Sequence, residues 1–476
     1  MIQVIDEINR LYDKWAGGSY AKCSPLPRSG SDRQYFRLTT ADQHTVMAAY
    51  NPNTTENEAY FSFSQAFADA GINVPKVLAV SDNRTCYLIE DLGSEPLYNL
   101  VTAANGTPDE HLKQLYKQAL ADLAKMQVVA GRNIDYSLCI PTADFDQTAI
   151  RWDLNYFKYC FLKNAHIAFD EYKLEQDFNH IIDAASAIDS QYFMFRDFQS
   201  RNIMLKNDEL YYIDFQGGKR GPLMYDVASL LYQAKARFSE ELRNELFDSY
   251  INALKELRPT NRDQLFGEFK LFALIRTLQV LGAYGYRGYY EQKKHFIESI
   301  PAAVKNLKDL IALKIVDLPH IEEIANQIDI TEPQPDNFDG LTITVYSFSY
   351  KKGIPSDPEN GGGFVFDCRG QHNPGRYDEY KSLTGRDKAV IDFLKANSTI
   401  DSFLKQAIEI VSPTIETYLR RGFKNLMVSF GCTGGQHRSV YCAQNFAEQI
   451  GKKYDVRVKL IHRELGIQNI ECRIQN

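Results

Sequence analysis

Hydrophobic and polar positions change period several times along this chain. Residues 1–15 alternate apolar positions with Asp6, Glu7, Arg10, Asp13 and Lys14, which predicts an amphipathic helix. Between 20 and 92 short β-rich runs dominate: 33–38 and 44–50 read as a hairpin around a Thr-Thr-Ala-Asp turn, and 74–80 and 85–89 as two further strands. Between the pairs, residues 56–70 follow the helical period, and Gly71 closes them at the position where a helix often ends. From 108 to about 318 the pattern is mainly helical. It is interrupted once, at 192–215, by a strand, a loop and two more strands around a turn. Residues 331–340, rich in Pro and Asp, lack periodicity and read as a connection. A fresh alternation follows, with strands at 341–347, 364–367, 425–429 and 456–461 and helices at 387–395, 402–420 and 439–450. The predicted bodies are 1–92, strand-rich; 93–318, helical; a linker at 319–340; and an α/β unit at 341–476.

Composition narrows the class. Of 476 residues 44% are apolar and 24% charged, the balance of an ordinary globular chain. The segment nearest to a membrane span, 271–286, is broken by Arg276 and Gln279, and the amphipathic first helix lacks the plan of a signal peptide. A cytoplasmic protein with no membrane partner is the expectation. The eight cysteines include no Cys-x-x-Cys pair and no zinc spacing, so most read as small buried thiols. Net charge is −7, of which 337–476 carries about +4, leaving about −11 for the rest. So acidic a body is a poor general nucleic-acid binder, and the question stays open only for the last unit.

The chemistry concentrates in Phe195-Arg-Asp-Phe-Gln-Ser-Arg-Asn202, followed after a short strand and turn by Ile213-Asp-Phe-Gln-Gly217. Phosphoryl transfer to a hydroxyl needs a carboxylate to orient and deprotonate the acceptor, and hard oxygen ligands for Mg2+ on the phosphates. Asp197 fits the base, and Asn202 and Asp214 the metal ligands. Each element is common alone; the ordered combination is not.

The block 195–233, including Gly221-Pro-Leu-Met-Tyr-Asp-Val-Ala-Ser-Leu-Leu231, resembles the aminoglycoside-phosphotransferase family, and within it the cell-wall amino-sugar kinases acting on N-acetylmuramate or N-acetylglucosamine. The resemblance spans about residues 10–315. It implies an α+β, protein-kinase-like two-lobed fold followed by a separate α/β domain, with ATP and Mg2+ as cofactors. Residues 1–92 would be the ATP-binding N-lobe and 93–318 the C-lobe. Arg196 and Asp197 would be catalytic. Ser29, Gly30, Ser31 and Arg33 would lie in the phosphate-covering hairpin, and Glu90 and Leu92 in the hinge that meets adenine. Tyr225 and Asp226 would brace the catalytic loop. Two departures stand out: Phe195 replaces the usual loop His, and 45–50 lacks the strand Lys that ordinary kinases place on the phosphates. Arg28, Arg33 or Arg37 would then supply the positive charge, with Glu58 at the ion-pair position of the following helix.

The second constellation is Val428-Ser-Phe-Gly-Cys-Thr-Gly-Gly-Gln-His-Arg-Ser-Val440, between a predicted strand and helix. Loop amides and first-turn N–H groups converge there on an anion. With Ser347–Pro355, Phe366-Asp-Cys-Arg369, Asn373-Pro374, Thr384-Gly-x-Asp387 and His462-Arg463, it resembles the C-terminal domain of the RNase adapter RapZ. That resemblance implies a sugar-phosphate effector at Thr433, Gly434, Gly435, His437 and Arg438, and raises RNA as a partner. The nearly neutral tail 464–476 speaks against RNA. The leading reading is an ATP-dependent kinase of an amino-sugar hydroxyl, in cell-wall recycling, with a sugar-phosphate-sensing domain. The rival is a regulatory RNA-binding adaptor whose kinase-like half is inactive or senses a ligand.

Overall fold

The computed structural model describes residues 2–27, 33–328, 338–355, 357 and 360–469. It divides into two compact units, Met1–Glu332 and Pro333–Asn476.

The first unit opens with a five-stranded antiparallel sheet built from β1 (Lys22–Pro25), β2 (Gln34–Thr39), β3 (Thr45–Tyr50), β4 (Val77–Val80) and β5 (Cys86–Glu90), in the order β1-β2-β3-β5-β4. The predicted hairpin is β2–β3; β1 was not anticipated, being short and half exposed. The two-residue period of the strands divides their side chains. Phe36, Leu38, Ala48, Cys86 and Leu88 pack with Val4, Ile8 and Leu11 of the first helix, Ile2–Ala16. Met47, Ala49, Tyr87 and Ile89 join the main core with Tyr60, Phe63 and Phe67 of the helix Thr54–Asp69. That helix is capped by Asn53, whose side chain accepts from Glu56 N–H. The cap fixes where Glu56 enters the cleft below the sheet.

The helical body carries two small hairpins. Strand β6 (Tyr192–Met194) pairs with β9 (Lys219–Gly221), and β7 (Ile203–Lys206) with β8 (Glu209–Tyr212). Asn207 and Asp208 turn the second hairpin with φ of 53° and 66°, the positive values a tight two-residue turn demands. Behind the hairpins runs the long buried helix Arg262–Tyr284, which continues as a π-helical turn, Gly285–Tyr290. A second such turn, Phe157–Leu162, packs against it. A Cβ on Gly285 would lie 2.2 Å from the Cys160 carbonyl oxygen, so the close approach requires glycine. The expected linker begins later than residue 319: Pro319–Gln327 is a helix whose Ile321 and Ile324 lie in the main core, and Ile321 N–H donates to buried Asp177 at 2.7 Å. Its Ile321/Ile324 spacing is helical, but the adjoining Pro- and Asp-rich stretch obscured it.

The second unit is an α/β sheet of β10 (Thr342–Ser349), β11 (Gly363–Asp367), β12 (Asn425–Cys432), β13 (Arg457–His462) and β14 (Ile467–Asn469), in the order β11-β12-β10-β13-β14. The first four are parallel, and β14 joins β13 antiparallel. Interior strand β12 is buried from Leu426 to Cys432, as a strand covered on both faces must be. The helices Lys388–Asn397, Ile400–Arg421 and Arg438–Lys453 complete the unit.

Candidate active site

The catalytic loop is shaped from beneath by a carboxylate. Buried Asp226 accepts from the N–H groups of Phe195 at 2.6 Å and Arg196 at 2.9 Å. Burial pushes its carboxyl up to about 7, against the pull of those two donors. Phe195, where kinases usually have His, braces the loop by packing: its ring meets Phe198 at 5.3 Å and Phe215 at 6.4 Å, edge to face. Arg196 holds a positive φ of 80° and turns its guanidinium inward to Asp153 at 2.8 Å and Tyr225 Oη at 2.6 Å. Its fixed contacts make it a brace for the loop.

Asp197 faces a cavity of 280 Å³ that is also lined by Asn53, Glu56, Arg196, Asp214 and Gln216. Its Oδ1 accepts from Arg276 of the long helix at 2.8 Å, and Oδ2 accepts from no described residue. Burial alone would raise the Asp197 carboxyl, but Arg276, and behind it Arg196 and Arg201, hold it below the usual range. Asn202 donates to the Asp197 carbonyl at 2.9 Å, and its own Oδ1 accepts from no described residue. Asp214, at φ 67°, accepts from Gln216 at 3.0 Å through Oδ1. Its carboxyl is pushed up, first by burial and then by the negative charge of Asp197. The Asp214 carboxylate and the Asn202 amide oxygen, which takes no described donor, are hard oxygens of the kind that suit Mg2+. Among the described residues no group of three Asp, Glu, His or Cys could hold a metal ion.

On the sheet side, Arg33 is 5% exposed and reaches Glu56 at 2.7 Å, while Glu56 also accepts from Asn51 at 3.1 Å. This pair replaces the expected one. Glu58 lies two residues on and pairs with Arg84 instead, because a two-residue step on a helix turns to another face. Arg37 is committed to Asp91 at 2.6 Å and to the Gly93 carbonyl at 2.9 Å. The segment 90–93 is therefore fixed: Glu90 N–H donates to Lys76 O at 3.0 Å and its carboxylate takes Lys206 at 2.7 Å. With the Glu90 N–H spent, Leu92 keeps a backbone N–H that donates to no described residue. Ser29, Gly30, Ser31 and Arg28 lie outside the described residues.

Sequence reading missed Arg276, which it took only as an interruption of an apolar stretch. A guanidinium in the middle of a buried helix, at 4% exposure, was the available signal, because such a charge needs a partner.

The second predicted site differs more. The loop 433–437 does sit at the C-terminal end of β12, beside that of β10, where open α/β sheets hold ligands. Arg438, however, is buried and donates to the carbonyls of Arg369 at 3.0 Å and Gln371 at 2.9 Å. His437 Nε2 lies 2.9 Å from the Tyr380 carbonyl and is a donor to it. Gly435 is packed: its φ is 70°, and a Cβ there would stand 2.3 Å from Glu464 Cγ. Its N–H donates to Cys432 Sγ at 3.2 Å, so Cys432 is a buried structural thiol. Of the five residues expected to contact an anion, Thr433 and Gly434 are exposed.

Comparison with known proteins agrees with this division. The model of the phosphotransferase enzyme family matches residues 22–260, half of the chain, and that of the RapZ C-terminal domain matches 341–466. The chain is similar to a nucleotide-binding protein of Acidothermus cellulolyticus, 36% identical over 151 residues, 31% of this chain and 47% of that protein. It is also similar to one from Caldanaerobacter subterraneus subsp. tengcongensis, 30% identical over 255 residues, 51% of this chain and 87% of that protein. It spans only about half of the first of these, 47% of its length. Among solved structures, an amicoumacin kinase in complex with AMP-PNP, Ca2+ and Ami aligns at 11% identity and a TM-score of 0.47, covering 69% of this chain and 95% of that one. By the two family matches, the chain belongs to the phosphotransferase enzyme family and carries a RapZ C-terminal domain as its second unit.

Proposed function

We propose that the first unit transfers the γ-phosphoryl group of ATP to a hydroxyl of an amino sugar, at the anomeric position of N-acetylmuramate or N-acetylglucosamine, in cell-wall recycling. The observation that carries the reading is Asp197: its Oδ1 is tethered to Arg276, its Oδ2 is open, and it faces Asp214 across the cavity. Oδ2 accepts the acceptor hydroxyl, orients its oxygen and takes its proton. The low carboxyl keeps Asp197 ionised at neutral pH, so it enters the reaction as a base. Asn202 and Asp214 would hold Mg2+, which supplies charge neutralisation of the ATP phosphates. Arg33, steadied by Glu56, takes the place of the missing strand Lys toward the phosphates, and the backbone at Leu92 meets the adenine edge.

The second unit is assigned a sugar phosphate as effector, held at Thr433 and Gly434. Arg438 and His437 support that loop from behind by fixing 369–371 and Tyr380. ADP release measured over N-acetylmuramate, N-acetylglucosamine, glucosamine and an aminoglycoside tests the assignment. Turnover confined to an amino sugar supports it. Turnover with the aminoglycoside alone, or ADP release indifferent to every acceptor, overturns it.

A further inference from the structure

The described arginines around the active site have carboxylate partners, with one exception. Arg33 is paired with Glu56 at 2.7 Å, Arg37 with Asp91 at 2.6 Å, Arg196 with Asp153 at 2.8 Å and Arg276 with Asp197 at 2.8 Å. Arg201 is exposed and has no hydrogen-bond or ion-pair partner among the described residues. It does not sit on a loose loop. Ser200, fully buried, is tied through N–H and Oγ to Gln233 Oε1 at 3.2 and 2.7 Å. Asn202 N–H donates to Gln199 O at 2.8 Å, its side chain holds the Asp197 carbonyl, and its own carbonyl accepts from Ile213 N–H at 3.0 Å. A turn anchored on both sides thus presents a single unpaired guanidinium.

Arg201 lies four residues after Asp197 and next to Asn202 in the chain, and its charge acts on Asp197, Asp214 and Tyr284 at once. Strand β3 carries no cation, its inner positions being Met47 and Ala49, so the sheet side offers the phosphates Arg33, paired with Glu56. A transferring phosphoryl group spreads negative charge over three equatorial oxygens. A donor fixed beforehand at that point stabilises the charge without reorganisation, and a guanidinium offers two parallel N–H bonds for it.

We propose that Arg201 is a catalytic residue that contacts the phosphoryl group in transit between ATP and the acceptor. This rests on the kinase reading given above. A carboxylate on the acceptor is the competing use of the same cation; its place on the anchored turn that joins Asp197 to Asn202 favours the phosphoryl group.

The test uses the full chain and needs no acceptor. Affinity for MgADP is measured by calorimetry with and without aluminium fluoride, a planar phosphoryl mimic. Wild type should gain affinity on fluoride addition. R201Q should keep MgADP affinity within about twofold and lose at least about tenfold of the gain, with R201K between them. An unchanged gain in R201Q overturns the proposal, including the case where only the KM of a carboxylate-bearing sugar rises. Equal loss for MgADP with and without fluoride also overturns it, because that is the mark of a merely structural residue. A wild type that binds MgADP but gains nothing from fluoride refutes this proposal alone. A wild type that binds no nucleotide refutes the kinase reading itself.

Discussion

Replacing Arg276 with Gln isolates how the protein prepares Asp197, the proposed base. The guanidinium is buried, and its Nη2 lies 2.8 Å from Asp197 Oδ1, whose side chain is 48% exposed toward the cavity. A hydrogen bond to a charged group contributes about 1.5–3 kcal/mol. The half-open carboxylate is screened, so the lower end applies. The sign follows from charge: Arg276 favours ionised Asp197, so removing it raises the carboxyl. The acid limb of kcat/KM against pH should therefore move up. At neutral pH the rate falls through lost positioning as well, by about ten- to a hundredfold. Stability changes in the matching window. A carboxyl depressed in the folded state contributes stability above its unfolded value and loses it as pH falls through the folded one. Thermal unfolding of R276Q should then be less sensitive to acid than that of wild type in the range just below pH ~4. The assay is coupled ADP release across the acid and neutral range at saturating ATP. A lower rate with an unmoved acid limb would refute the electrostatic part of the argument.

Three further outcomes are expected. Asp214→Ala should raise the Mg2+ concentration needed for half-maximal rate by about tenfold or more, since it removes the charged member of the oxygen set; an unchanged Mg2+ titration contradicts the assignment. Gly285→Ala should lower the thermal midpoint, because its Cβ would meet backbone at 2.2 Å; overpacking of this kind costs about 1–3 kcal/mol, and a midpoint equal to wild type would show that the π-helical turns slide apart freely. Arg438→Met should destabilise the second unit by about 2–3 kcal/mol by leaving two carbonyls without donors, while folded protein keeps the proposed affinity for a sugar phosphate; normal thermal stability with lost affinity, read by calorimetry, would return Arg438 to the ligand.

Much of this architecture was written in local patterns. The hairpin β2–β3 and the parallel strands β10, β12 and β13 follow from periods and turn residues, as does the strand-loop-strand carrying Asp197, Asn202 and Asp214. Contacts between residues distant in sequence were not. Arg276 lies 79 positions from Asp197, and only the fold shows that an interruption of an apolar helix is the partner of Asp197. The register of one helix decides that Glu56, and not Glu58, faces the cleft. At the second site, residue type misled. A Gly-Gly-x-His-Arg loop invites His and Arg to be read as ligands. Yet carbonyls of segments 57–69 residues away take their donors, and Gly435 is required by the stem of Glu464.

The central claim is that Asp197 is the base of an ATP-dependent kinase acting on an amino sugar. Its most direct test is ADP formation with the best amino-sugar acceptor, wild type against Asp197→Asn, with MgATP affinity measured in parallel. Asn preserves the volume and the Arg276 contact at Oδ1 but cannot take a proton at the second position. The account predicts a loss of about 10²–10⁴-fold in turnover with MgATP affinity unchanged. Turnover within about threefold of wild type would contradict it, since losing a general base costs far more.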